Sequence, residues 1–132
     1  MTAEESLVRR AIEAWNENDW EALQKLWDPE GEIVPPEGWP ETGARTGWPA
    51  IREQFRVIKD SWSEDRVEAI SIEQVGDRAL THVHWAVRGE ASGAPLQVEM
   101  WMLFEFGNGL ISRIQYFLER EAASSAMAKG AS

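Results

Sequence analysis

Leu96-Gln97-Val98-Glu99-Met100-Trp101-Met102-Leu103-Phe104-Glu105-Phe106 runs into Gly107-Asn108-Gly109 and returns as Leu110-Ile111-Ser112-Arg113-Ile114-Gln115-Tyr116-Phe117-Leu118-Glu119. Side chains in a strand point alternately to opposite faces, so this stretch can be sorted face by face. In the first arm Leu96, Val98, Met100, Met102, Phe104 and Phe106 share one wholly apolar face. Gln97, Glu99, Trp101, Leu103 and Glu105 share the other, which is mixed. The second arm repeats the pattern, with Leu110, Ser112, Ile114, Tyr116 and Leu118 against Ile111, Arg113, Gln115, Phe117 and Glu119. An Asn-Gly turn between two such runs is a strong hairpin signal.

Two more β-rich runs precede it, at 66 to 75 and 78 to 89, separated by Gly76-Asp77. The four runs predict an antiparallel meander. Further upstream the period is helical. Thr2 with Glu5 forms a capping box ahead of Leu7, Val8, Ala11, Ile12 and Trp15, and Asn18 with Glu21 restarts the pattern before Trp20, Leu23, Leu26 and Trp27. After a brief strand at Glu32-Ile33-Val34, a loop rich in proline and glycine carries Trp39 and Trp48. Pro49 then opens a third helix through Ile51, Phe55, Ile58 and Trp62. Helices first and a meander afterwards predict an α+β domain with three N-terminal helices on one face of the sheet. One domain over residues 1–121 suffices for 132 residues, and the small, polar residues 122–132 read as a disordered tail.

Thirteen Lys plus Arg against 23 Asp plus Glu leave a net charge of −10, which repels phosphate backbones and anionic lipid, so neither nucleic acid nor membrane is expected as partner. Cysteine is absent, which removes thiol nucleophiles and thiolate metal sites. An acidic start without a basic and then apolar leader reads as cytoplasmic. No cofactor and no metal is called for. His82 and His84 could hold a metal with Glu99, but two histidines on one strand face are more often surface or interface groups. They fall opposite the more apolar Ala79, Thr81, Val83, Trp85 and Val87, which puts them on the back of the sheet.

Trp101, Leu103 and Phe117 make that back face half apolar. Three helices cannot cover both sides of a sheet, so the expected cover is a second copy of the chain, a homodimer through Trp101, Leu103, Arg113, Gln115 and Phe117.

The ordered set Ala14-Trp15-Asn16-Glu17-Asn18-Asp19, Gly47-Trp48-Pro49-Ala50-Ile51-Arg52 and Phe104-Glu105-Phe106-Gly107-Asn108-Gly109-Leu110-Ile111 resembles the nuclear transport factor 2-like superfamily, especially its SnoaL-like domains. The resemblance covers about residues 4 to 120. It implies a cone-shaped roll in which the three helices pack on a strongly curved antiparallel sheet around a small-molecule pocket, among relatives such as polyketide cyclases and ketosteroid isomerases. Carried over, the isomerases' aspartate base falls at about Pro35, their helix tyrosine at about Ala11, and their strand acid at about Met102. The cyclases' aspartate also falls at Met102.

None of these side chains moves a proton. The expected pocket is therefore a binding site for a small apolar or aromatic molecule, lined by Trp15, Trp39, Trp48, Phe55, Val98, Met100, Met102, Ile114, Tyr116 and Leu118. His84 and Tyr116 are the candidates for chemistry. The alternatives are a lyase, isomerase or cyclase acting on a polyketide-like or steroid-like substrate by general acid/base catalysis, and an interaction module using the back of the sheet.

Overall fold

The computed structural model describes residues 2–36, 43–89 and 95–130. Helix α1 (Ala3–Asn16) begins as expected, with Thr2 accepting a hydrogen bond from the Glu5 amide at 3.1 Å. Helix α2 (Trp20–Leu26) is capped by Asp19, not by Asn18, because Asn18 turns the corner at φ 56, a conformation that asparagine tolerates. Strand β1 (Trp27–Val34) is longer than the brief strand expected, and it is irregular between Trp27 and Glu32. Gly31 lies there against the Trp27 ring; a Cβ at Gly31 would come within 2.7 Å of it. After β2 (Arg45–Thr46), helix α3 (Trp48–Asp60) starts with Pro49 in its first turn.

Strands β3 (Trp62–Val75), β4 (Arg78–Gly89), β5 (Pro95–Gly107) and β6 (Leu110–Phe117) are the predicted antiparallel meander. At the last hairpin Asn108 and Gly109 both take positive φ, at 54 and 76, the geometry that matches the twist of the strands they join. The six strands form one curved, mixed sheet in the order β2-β1-β6-β5-β4-β3, with β1 parallel to β6. The α+β cone is thus the architecture, with the core of α1, α2 and α3 against one face of the sheet.

Two expectations about the other face are corrected. The first concerns Ile111. The register between β5 and β6 pairs Glu105 with Arg113 and Phe106 with Ile111, leaving Ser112 as an extra residue. The Ser112 hydroxyl donates to the Glu105 carbonyl at 3.0 Å. A bulge resets the parity of a strand, so Ile111 and Ile114 share the core face, and Ile111 is fully buried there.

The second concerns the tail. Residues Arg120–Gly130 form helix α4, which lies over the back of the sheet. Ala123, fully buried, packs with Leu80, Trp101 and Leu103, and Phe117, Ala126 and Met127 complete the cluster. Alanines let the helix approach closely, and the Arg78 guanidinium donates to the Met127 carbonyl at 2.7 Å near the helix C-terminus, where a cation complements the helix dipole. The cover inferred for Trp101, Leu103 and Phe117 is therefore supplied by the chain itself. Arg113 is likewise engaged within the chain, donating to Glu32, Glu105 and Gln115.

Candidate functional site

The helices do not fill the concave face of the sheet. A cavity of about 110 Å³ remains between α1, α2 and α3 on one side and β1, β3, β4, β5 and β6 on the other. Of the residues expected to line it, Trp15, Phe55, Met100, Met102, Ile114 and Tyr116 do so. Trp48 does not; it is buried in the core at the start of α3. Val98 and Leu118 sit past the rim, Val98 packing against the cluster around Val83 and Leu118 lying exposed after β6 ends. Trp39 lies outside the described residues. Ala11, Pro35 and Met102, the positions to which the resemblance carried a tyrosine, an aspartate and an acid, all border the cavity.

Sequence reasoning missed part of the wall. Trp85 and Val83 were recognisable on the apolar face of β4, but Trp27 read as the end of a helix, and Gln54 lies on α3 among charged neighbours. Aromatic rings meet edge to face around the space: Trp15 with Phe55 at 5.2 Å, Trp27 with Phe55 at 6.5 Å, and Trp62 with Trp85 at 5.8 Å. This arrangement turns ring edges against ring faces and fixes their orientation.

Polar groups in the wall are few. Among the described residues no carboxylate and no histidine lines the cavity. The Tyr116 hydroxyl has no hydrogen-bond partner among the described residues, and burial pushes its pKa well above the ordinary 10.0. It therefore stays neutral near pH 7 and can both donate and accept. Gln54 is buried on the opposite wall.

His84 is on the other side of the sheet, in register between Glu68 and Glu99. His82 shares that face, stacked on Trp101 at 4.7 Å, with Nε2 3.3 Å from Glu99 Oε1. Neither histidine reaches the cavity.

One buried charge lies just behind the wall. Asp65, on β3, accepts from the Trp15 indole at 2.7 Å and the Trp85 indole at 3.1 Å, and it pairs with Lys59 at 2.8 Å. A polar run, Ser63-Glu64-Asp65-Arg66, gives no sequence signal that one of its carboxylates is buried. The signature residue Asn16 acts at the same end of α1, exchanging two 2.8 Å hydrogen bonds with the backbone of Val67.

Residues 8–114 match the SnoaL-like domain. No curated protein matches the chain. Among solved structures, TerC co-crystallized with polyporic acid superposes with a TM-score of 0.81 at 16% identity, covering 94% of this chain and 97% of that one. An NTF2-like protein from Burkholderia pseudomallei K96243 gives 0.82 at 16% identity, with 97% of both chains covered. A protein of ketosteroid isomerase-like fold from Catenulispora acidiphila DSM 44928, in complex with trimethylamine, gives 0.76 at 17% identity over 90% of this chain and 89% of its own. At these identities the likeness shows the fold. Among the described residues no helix is long and apolar enough to cross a membrane.

Proposed function

The chain belongs to the SnoaL-like domain family, and on that premise we propose that it binds a small apolar or aromatic molecule in the cavity without catalysing its conversion. The observation that carries this reading is an apolar cavity, about 110 Å³, with one hydroxyl in its wall that has no partner among the described residues. Close packing is the rule in protein interiors, so a void of this size costs stability unless something occupies it. Apolar cavities of roughly 150 Å³ stay dry and take up benzene, which sets the scale of the ligand at about one aromatic ring.

Met100 and Met102 adapt to varied shapes, and the Tyr116 hydroxyl supplies a directional contact for a phenolic or carbonyl oxygen. General acid/base catalysis needs a titratable group in reach of the substrate. Ala11, Pro35 and Met102 provide none, and both oxygens of Asp65 are engaged. The relatives crystallised with polyporic acid and with trimethylamine support a cavity open to small molecules.

Calorimetry with phenol tests the proposal. One phenol per chain should bind and quench tryptophan emission, Met102→Asp should abolish binding, and Tyr116→Phe should weaken it. Wild-type protein that takes up no phenol, or binding indifferent to both substitutions, would overturn it.

A further inference from the structure

The ion pair behind the cavity is more elaborate than a stabilising contact requires. Asp65 and Lys59 are almost wholly buried, with side chains 8% and 11% exposed. Removing two charges from water largely cancels their attraction, so a buried pair is a poor way to gain stability over apolar side chains of the same volume. What the pair does have is geometry. Asp65 Oδ2 receives the indole N–H groups of Trp15, from α1, and Trp85, from β4. Lys59 Nζ, from α3, bonds Asp65 Oδ1 at 2.8 Å and the Trp15 carbonyl at 2.7 Å, and lies 4.3 Å from the centre of a Trp15 ring. One carboxylate thus ties together four elements, and both rings it holds line the cavity.

An indole has one donor, so an acceptor held in place fixes where the N–H edge of the ring points. Two indoles converging on one oxygen cannot turn independently, and charge-assisted bonds of this length are the stronger kind. Lys59 holds the carboxylate in place through the 2.8 Å contact to Oδ1.

Resting on the binding reading above, we propose that Asp65 is a positioning residue. By clamping Trp15 and Trp85 it sets the width of the cavity, and so selects a single-ring ligand over a two-ring one.

The test replaces both charges at once, with Lys59→Met and Asp65→Leu in one protein, so that no unpaired charge is left buried. Two measurements follow. The indole N–H signals of Trp15 and Trp85, identified from Trp15→Phe and Trp85→Phe proteins, are recorded by NMR without any ligand. Both should move upfield in the double variant as their acceptor is lost. Affinities for phenol and 1-naphthol are then compared, because selectivity is a ratio of affinities; the ratio should shift toward 1-naphthol by about tenfold or more.

Unmoved indole signals overturn the clamp, and a ratio within about twofold of wild type overturns its role in selection. Wild-type protein that binds neither compound overturns the binding reading and the selectivity with it, while the NMR signals still report the clamp. If the double variant does not fold, Trp85→Phe removes one of the two donors and must itself shift the affinity ratio; an unchanged ratio then overturns the proposal.

Discussion

The two faces of strands β4, β5 and β6 are both apolar over much of their length, yet they are finished in opposite ways. On the convex side α4 lays Ala123, Ala126 and Met127 against Leu80, Trp101, Leu103 and Phe117, and Leu103 is fully buried. On the concave side Met100, Met102, Ile114 and Tyr116 face a cavity that the three N-terminal helices leave open. Small residues close one face, while bulky rings held away from one another prop the other apart. The contrast separates a face packed shut from one that keeps a cavity, although composition alone makes them look alike.

The largest expected effect comes from uncovering the closed face. Deleting residues 120–132 re-exposes Trp101 and Leu103 at about 1.5–3 kcal/mol each. Denaturant unfolding should show a combined loss above about 3 kcal/mol, and sedimentation should show self-association through the bared apolar surface. A truncated chain as stable as the whole one would mean that α4 is not the cover.

Asp65→Asn alone strands the Lys59 charge in the interior, and breaking a buried pair this way costs about 3–5 kcal/mol. Chemical denaturation measures the loss, and adding Lys59→Met should restore most of it.

Neighbouring residues give a finer comparison. Leu103→Ala carves a new void in a filled face and is expected to cost about 2–5 kcal/mol. Met102→Ala only enlarges a space that already exists, so its cost should be roughly half or less. Equal losses would erase the distinction between the faces.

Tyr116→Phe is the smallest change. The hydroxyl has no partner to lose among the described residues, so stability near pH 7 should be unchanged within about 0.5 kcal/mol. Phenol affinity should fall roughly two- to tenfold, the worth of one neutral hydrogen bond, while benzene affinity stays the same. The substitution also alters the response to alkali. Burial raises the Tyr116 pKa in the folded chain above its value when unfolded. The folded state therefore holds its proton where the unfolded state has lost it. Burial penalises only the phenolate, so stability is undiminished below about pH 10 and then falls by up to about 1.4 kcal/mol per pH unit toward the folded pKa. Unfolding followed from pH 8 upward should show that decline in wild-type protein and a shallower one in Tyr116→Phe.

Much of this was legible beforehand because alternation and helical spacing are local. Met100, Met102, Ile114 and Tyr116 could be assigned to one face from the period of two, and Trp15 and Phe55 to the facing helices from spacings of three and four. The misreadings have local causes as well. An extra residue at Ser112 reversed the parity of Ile111, and alanine-rich residues 120–130 carry too weak an apolar period to announce a helix that contact with Trp101 makes favourable.

The sequence by itself determined the class of fold, the order of its elements and the apolar face that borders the cavity, and it favoured the opposite side for His82 and His84, which the strand register then settled. Only the tertiary structure decided that α4 closes the back of the sheet, that the concave face keeps a cavity, and that Asp65 joins Trp15, Lys59 and Trp85. Periodicity is a property of neighbours along the chain. Burial of a lone carboxylate, or a void between rings, depends on residues as far apart as Trp15 and Asp65, which meet only when the helices settle on the sheet.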